Sequence, residues 1–229
     1  DIIITNGFPK DITDHDFITF RNQASNIAAK EYTLSQIPQV KIHNYGFKNN
    51  GDLSFSNVTK EWGLELNSFS NGAAYADLDN DGDLDVVVNN IGDEAFLFEN
   101  TQNKKKEKTE HYINIKLKGE TPNINGLGTW IEIFYEGKKQ AYEQTPYRGY
   151  LSSIQLNPHF GLGNVTQLDS VVVKWPSGKK QVLLKVKADQ TLHVNQLDAN
   201  VIFTWGVPPI LSNNYFTDVT KALGVDFIH

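Results

Sequence analysis

The sequence predicts a mainly β protein: a partial β-propeller with an inserted all-β sandwich and one helical segment near the N-terminus. Three observations predict it. Short β-branched and aromatic runs alternate with Asn-Gly, Glu-Gly and Pro-Ser-Gly turns along most of the chain. Several of these runs recur. An aspartate-rich loop lies between two strand-like runs rather than between helices. The expected organisation is propeller-type repeats over 1–102, with the helical insertion at about 11–35. A sandwich follows over 103–198, then a linker and the start of the next repeat over 199–229.

Composition narrows the function classes. The chain has 229 residues, enough for a sizeable core. Its 39% hydrophobic content, with 13 Phe, 9 Tyr and 4 Trp, excludes a disordered chain. Net charge is −6 and the pI is near 5.5, so nucleic acid is not an expected partner. The absence of cysteine excludes disulfides, zinc–thiolate sites and thiol catalysis. No apolar run is long enough to span a membrane. The chain contains no Met and opens within a strand pattern, Asp1-Ile2-Ile3-Ile4. It reads as a piece of a longer protein whose targeting signal lies outside it.

Taken in order, Asp1-Ile2-Ile3-Ile4-Thr5-Asn6 is a strand closed at Gly7. Phe17 to about Leu34 is mildly helical, with Asp14 or Asp16 as its N-cap. Asp11, Asp14 and Asp16 match no metal-loop spacing, so capping is preferred over a second metal site. Lys41–Phe47 and Leu53–Val58 form a hairpin about Asn50-Gly51. Ser68–Ala76 is a small-residue strand entering the acidic loop, and strands follow at 85–90 and 95–99. Lysines 104, 105, 106 and 108 mark a solvated linker. Beyond it, His111–Lys118 alternates, with Ile113, Ile115 and Leu117 on one face. Trp130–Tyr135 and Lys138–Gln144 form a hairpin about Glu136-Gly137, and Leu168–Trp175 and Lys180–Val186 form another about Pro176-Ser177-Gly178. Leu192–Val194 closes the set.

Three stretches recur. Phe55–Leu64 matches Phe216–Val225, Asp85–Asn90 matches Asp1–Asn6, and Ala95–Asn100 loosely matches Asn44–Asn49. The unit holds about four short strands, which suits a propeller blade. The span between the two Phe-x-x-Val-Thr-Lys copies is too long for a loop, which implies an inserted domain.

The acidic loop, Asp77-Leu78-Asp79-Asn80-Asp81-Gly82-Asp83-Leu84-Asp85, places five aspartates in nine residues. Crowded like charges repel, and a bound hard cation relieves them. Calcium takes six to eight oxygens, which loops supply from alternate positions. Those positions are Asp77, Asp79, Asp81, Asp83 through its backbone carbonyl, and Asp85, with Gly82 at the sharp turn. Val88 stands where an EF-hand has its bidentate glutamate, so this is an EF-hand-type loop in a β context.

Residues 68–90 resemble an FG-GAP or VCBS-type repeat of integrin-like propellers. Residues 111–194 resemble the ASPIC/UnbV domain, through Gly126-Leu127-Gly128, Arg148-Gly149-Tyr150-Leu151-Ser152-Ser153, Phe160-Gly161-Leu162-Gly163, Val173-Lys174-Trp175-Pro176-Ser177-Gly178 and Ala188-Asp189-Gln190-Thr191-Leu192. Asp189 departs mildly from the Asn usual there. The pairing is similar to the cartilage acidic protein and UnbV-like family of Bacteroidetes type. The resemblance implies an extracellular, cell-surface or periplasmic place, calcium as cofactor, and interaction or adhesion with a protein or glycan partner rather than catalysis. Some members carry an RNA-binding label, for which an acidic chain offers no physical reason.

Within the insert, Arg148, Tyr150 and Trp175 are possible ligand-binding residues. An Arg fork and a Tyr face suit a carboxylated or sugar ligand, and Trp175 suits sugar stacking. The alternative, internal pairing and core packing, is preferred for all three. His159 and His193 have no catalytic partners in the sequence. Glu132, Glu136 and Glu143 share a hairpin without any sign of an acid/base pair, and no hydrolase or nucleotide motif is present. No catalytic residue is assigned. A carbohydrate-active or glycan-binding role at the propeller–sandwich junction is the alternative reading.

Overall fold

The computed structural model describes residues 1–7, 9–24, 27–102, 110–206 and 216–224. The lysines of the linker and Val225, the last residue of the Phe216–Val225 recurrence, lie outside them. The chain is mainly β, as predicted. β1 (Ile2–Ile4), β3 (Tyr45–Asn49) and β4 (Phe55–Asn57) form one antiparallel sheet. β2 (Ile42–His43) pairs β5 (Asn67–Ser68), and β6 (Ser70–Ala76), β7 (Asp85–Asn90) and β8 (Phe96–Phe98) form a third sheet.

The sequence recurrences reappear as geometry. β1 pairs β3 as Ile2↔Phe47, Ile3↔Gly46 and Ile4↔Tyr45. β7 pairs β8 as Val86↔Phe98, Val87↔Leu97 and Val88↔Phe96, the same pairs once the recurrences are aligned. The leading aspartates also repeat their work. Asn49 N–H donates to Asp1 Oδ1 at 2.8 Å, and Asn100 N–H donates to Asp85 Oδ1 at 2.9 Å. In the other recurrence, Thr59 N–H donates to Asn57 Oδ1 at 3.0 Å and Thr220 N–H to Asp218 Oδ1 at 2.9 Å. These are Asx turns, which the short side chain makes with its own backbone two residues on. The two copies differ in packing: Val58 is 7% exposed and Val219 47%.

The predicted helical stretch is two helices, α1 (His15–Ala24) and α2 (Lys30–Ser35). Asp14 is the N-cap of α1, its Oδ1 accepting the Phe17 N–H at 2.8 Å. At the last residue of α1, the Ala24 carbonyl accepts from both the Ile27 and Ala28 N–H groups.

The second half is two packed sheets. One runs β11 (Lys138–Glu143), β10 (Trp130–Tyr135), β13 (Gln167–Lys174), β14 (Lys179–Lys187), β16 (Val201–Ile202). The other runs β12 (His159–Gly163), β9 (His111–Lys118), β15 (Gln190–Asn195), with β15 parallel to β9. Between them lies one apolar core that includes Ile113, Ile115, Ile131, Ile133, Leu168, Val171, Val173 and Trp175, all at 0% exposure. The predicted Glu136-Gly137 hairpin turn is present, with φ of 47° and 72° at its two residues, as a two-residue primed turn requires. β12 was not expected as a strand. Phe160 and Leu162 face the core in a two-residue period, but Gly161 and Gly163 between them lower the strand signal.

Trp175 takes the preferred of its two readings, core packing, over sugar stacking. It is 0% exposed, in the sandwich core, and has no face to offer a sugar. Gly126, at φ 63°, makes room for it: a Cβ there would lie 3.0 Å from the indole ring. The Gly-Leu-Gly motif is thus a packing feature.

Candidate metal centre

The acidic loop closes the β6–β7 hairpin, with Ala76 and Asp85 as the last paired residues. Asp77, Asp79 and Asp81 each bring a carboxylate oxygen within 4.8 Å of the other two. The backbone is bent to this shape by the same carboxylates. Gly82 N–H donates to Asp77 Oδ2 at 3.2 Å, Asp81 N–H to Asp79 Oδ1 at 3.2 Å, and Asp83 N–H to Asp81 Oδ1 at 3.1 Å. Gly82 takes φ 93°, a conformation nearly closed to residues with a Cβ.

One oxygen fits a cation better than it fits the protein alone. Asp77 Oδ1 is buried with no hydrogen-bond partner. Burial pushes the Asp77 carboxyl above the usual range, and the charges of Asp81 and Asp79 push it further, against the hydrogen bonds from Gly82 and Asn80. A divalent cation reverses both pressures by favouring the charged form. The donor set is all oxygen, which suits calcium or magnesium rather than zinc.

Of the five expected ligands, the structure brings three together. Asp83 and Asp85 are 8% and 3% exposed at the exit of the loop. Both oxygens of Asp85 are engaged by backbone, accepting Leu78 N–H at 3.0 Å and Asn100 N–H at 2.9 Å. Asp1 makes the equivalent bond with Asn49 N–H at 2.8 Å. Locking the first strand to the end of the next accounts for the Asp85 side chain.

The sandwich touches this loop. His159 Nε2 lies 3.0 Å from the Gly82 carbonyl oxygen, and the Tyr112 ring covers Gly82 so closely that a Cβ there would fall inside it. Tyr112 and His159 stack, with ring centroids 5.6 Å apart at 7°. Burial lowers the His159 pKa, although the Gly82 carbonyl and the charge of Asp77 favour its charged form. Neither residue was legible as part of the site, because nothing in one dimension links 82 to 112 and 159.

The junction continues along β6. Tyr142 of β11 interacts with Tyr75 of β6, and burial pushes the Tyr142 hydroxyl up to about 12. Arg148 stacks over the Tyr142 ring at 4.9 Å and donates to the Tyr147 carbonyl at 2.8 Å. It is a packing residue at the junction. Beside it, a crevice of about 260 Å³ is lined by Asn71, Ala73, Asn89, Tyr150, Ser152 and Ser153 among others. Tyr150 is 72% exposed there. Of the three possible ligand-binding residues, Tyr150 alone lines this crevice.

Glu132 offers no acid/base logic. Burial alone would raise its pKa, but Lys174 at 2.7 Å, with Lys139 at 3.3 Å, holds it below the usual range. A crevice of about 310 Å³ among His43, Tyr45, Glu61 and Glu65 contains no residue of the acidic loop.

Comparison with protein families places these features. Residues 39–88, which include the whole acidic loop, match the FG-GAP-like repeat, and residues 119–201 match ASPIC and UnbV. The chain therefore pairs an FG-GAP-like repeat with an ASPIC and UnbV segment. Comparison with curated proteins gives no match.

Proposed function

We propose that the chain is a calcium-stabilised interaction module of an exported or cell-surface protein, non-catalytic, with the calcium structural. The observation that carries this reading is the convergence of Asp77, Asp79 and Asp81 oxygens within 4.8 Å. At such distances two like charges repel by about 1 kcal/mol in water and by about 4 kcal/mol where the effective dielectric constant is near 20. Asp77, Asp79 and Asp81 hold the ion, Asp83 adds its backbone carbonyl, and Asp85 fixes the loop's exit. The ion supplies charge neutralisation and a rigid turn between β6 and β7, not chemistry on a substrate. FG-GAP repeats occur in extracellular and surface proteins, which supports the exported setting.

Titration of the chelator-treated chain with calcium tests this. One calcium per chain should bind, and Asp79→Ala should abolish the heat of binding while leaving the sandwich folded. A flat calorimetric titration of the wild-type chain would sink the reading.

A second observation favours a ligand at the junction. The crevice beside Tyr150 combines an exposed aromatic face with the side chains of Asn71, Asn89, Ser152 and Ser153, a lining suited to a saccharide. A glycan array probed with wild type and Tyr150→Ala should show binding that the variant loses. Equal binding by both would remove Tyr150 from the site.

A further inference from the structure

We infer that the cation site is bipartite: Tyr112 and His159 of the sandwich are positioning residues that hold the Gly82 turn of the acidic loop. Cation binding and seating of the sandwich on the blade are then one linked equilibrium. This rests on the calcium reading above and extends it from the loop to the domain junction.

The loop's ligand geometry depends on Gly82. Its N–H donates to Asp77 Oδ2 at 3.2 Å, and its φ is 93°. Both features fail if the peptide on either side rotates. From the sandwich, the Tyr112 ring covers the Cα and His159 approaches the carbonyl oxygen at 3.0 Å. With the carbonyl as acceptor, His159 donates from Nε2. The two rings stack on each other, so each limits the other's rotation. They stand on adjacent antiparallel strands, Tyr112 opposite Gly161 and His159 opposite Asn114, which puts the clamp on the rigid part of the sandwich. Outer-shell contacts of this kind change metal affinity about 10–100-fold when removed.

Linkage makes the coupling mutual. If the docked sandwich tightens cation binding, the bound cation tightens docking by the same factor. The junction has further contacts through which docking is read: Tyr75 with Tyr142, and Gly72, where a Cβ would lie 3.3 Å from Ser152 Oγ.

The test uses the full chain and calcium alone. Wild type, His159→Ala, His159→Gln, Tyr112→Ala and Tyr112→Phe are titrated by calorimetry, with sandwich folding checked by melting. His159→Ala and Tyr112→Ala should bind calcium at least about tenfold more weakly. His159→Gln, which keeps an N–H donor, and Tyr112→Phe, which keeps the ring, should recover most of that loss. A wild-type chain that binds no calcium defeats the underlying calcium reading. A wild type that binds, with alanine variants of equal affinity, defeats the bipartite site alone. Docking gives an independent readout, since the chain has no native cysteine to interfere. Asn71→Cys with Leu151→Cys places a thiol pair across the junction crevice. Bifunctional maleimide cross-linking of that pair should be faster and more complete with calcium. A calcium-independent rate overturns the linkage.

Discussion

The two halves of the molecule are held together by different physics. The sandwich buries one continuous apolar core from β9 to β15, with eight residues at 0% exposure. The described residues before the sandwich, which include the FG-GAP-like repeat, bury Phe17, Ile37, Val58, Leu64 and Val88 and little other apolar side chain. Their buried positions are instead polar: Asn44, Thr59, Ser68, Ser70, Asp83, Asp85 and Asn90. These work as side-chain locks between strands. Asn6 alone donates to the Ile42 and Ser68 carbonyls and accepts from Ser70 N–H, joining three strands. Ser70 Oγ bridges Ser68 and Asn90 at 2.6 and 2.9 Å. Hydrophobic burial scales with area, whereas hydrogen bonds contribute about 1 kcal/mol each and depend on alignment. A region built on locks has more to gain from a cation than a region built on a core.

That contrast breaks most visibly in the core. Trp175→Ala should cost the sandwich about 3–5 kcal/mol, since the site is fully enclosed and leaves a cavity. Denaturant melts followed by sandwich-specific probes check it. A loss below about 1 kcal/mol would mean that the core collapses around the gap.

Calcium removal is the matching experiment for the blade. At a hundredfold excess over the dissociation constant, a bound ion adds about 2.7 kcal/mol. Chelator should therefore lower the midpoint of the blade transition by about 10–20 °C. The sandwich core should melt where it did before.

The next effect sharpens the sandwich side. Glu132→Gln removes the charge from both lysine ion pairs and should cost about 1–2 kcal/mol at neutral pH. The sign with pH follows from its lowered pKa. A carboxyl held below its unfolded value stabilises the fold above the ordinary carboxylate range. That contribution is lost as pH falls through the lower, folded value. Wild type and variant should thus converge in acid. A constant gap down to low pH would show that the loss is packing rather than charge.

The smallest effect is expected at the junction surface. Tyr150→Ala should move the melt by no more than about 0.5 kcal/mol, because the ring is 72% exposed. A larger loss would make Tyr150 part of the scaffold rather than a ligand face.

What the sequence made legible follows the same division. Patterned strands with strong turn chemistry, such as Trp130–Tyr135 and Lys138–Glu143 about Glu136-Gly137, were read nearly to the residue. The repeat alignment even carried the strand register of β7 on β8. The acidic loop was legible because its chemistry is local, five aspartates in nine residues. Contacts between distant segments were not. Glycines hid β12, and the parallel pairing of β15 with β9 has no one-dimensional signal. Trp175 beside Pro176 looks the same in sequence whether it caps a core or faces a sugar. The clamp of Tyr112 and His159 on Gly82 depends on three segments meeting, which composition and spacing do not encode.

Hydrogen exchange with and without calcium separates the two halves in one experiment. A cation held at Asp77, Asp79 and Asp81 should raise protection across β6, β7 and the loop between them, while β10 and β13 in the sandwich core stay unchanged. Identical exchange in β6 and β7 with calcium and with chelator would contradict the account, because the blade would then be held by its polar locks alone.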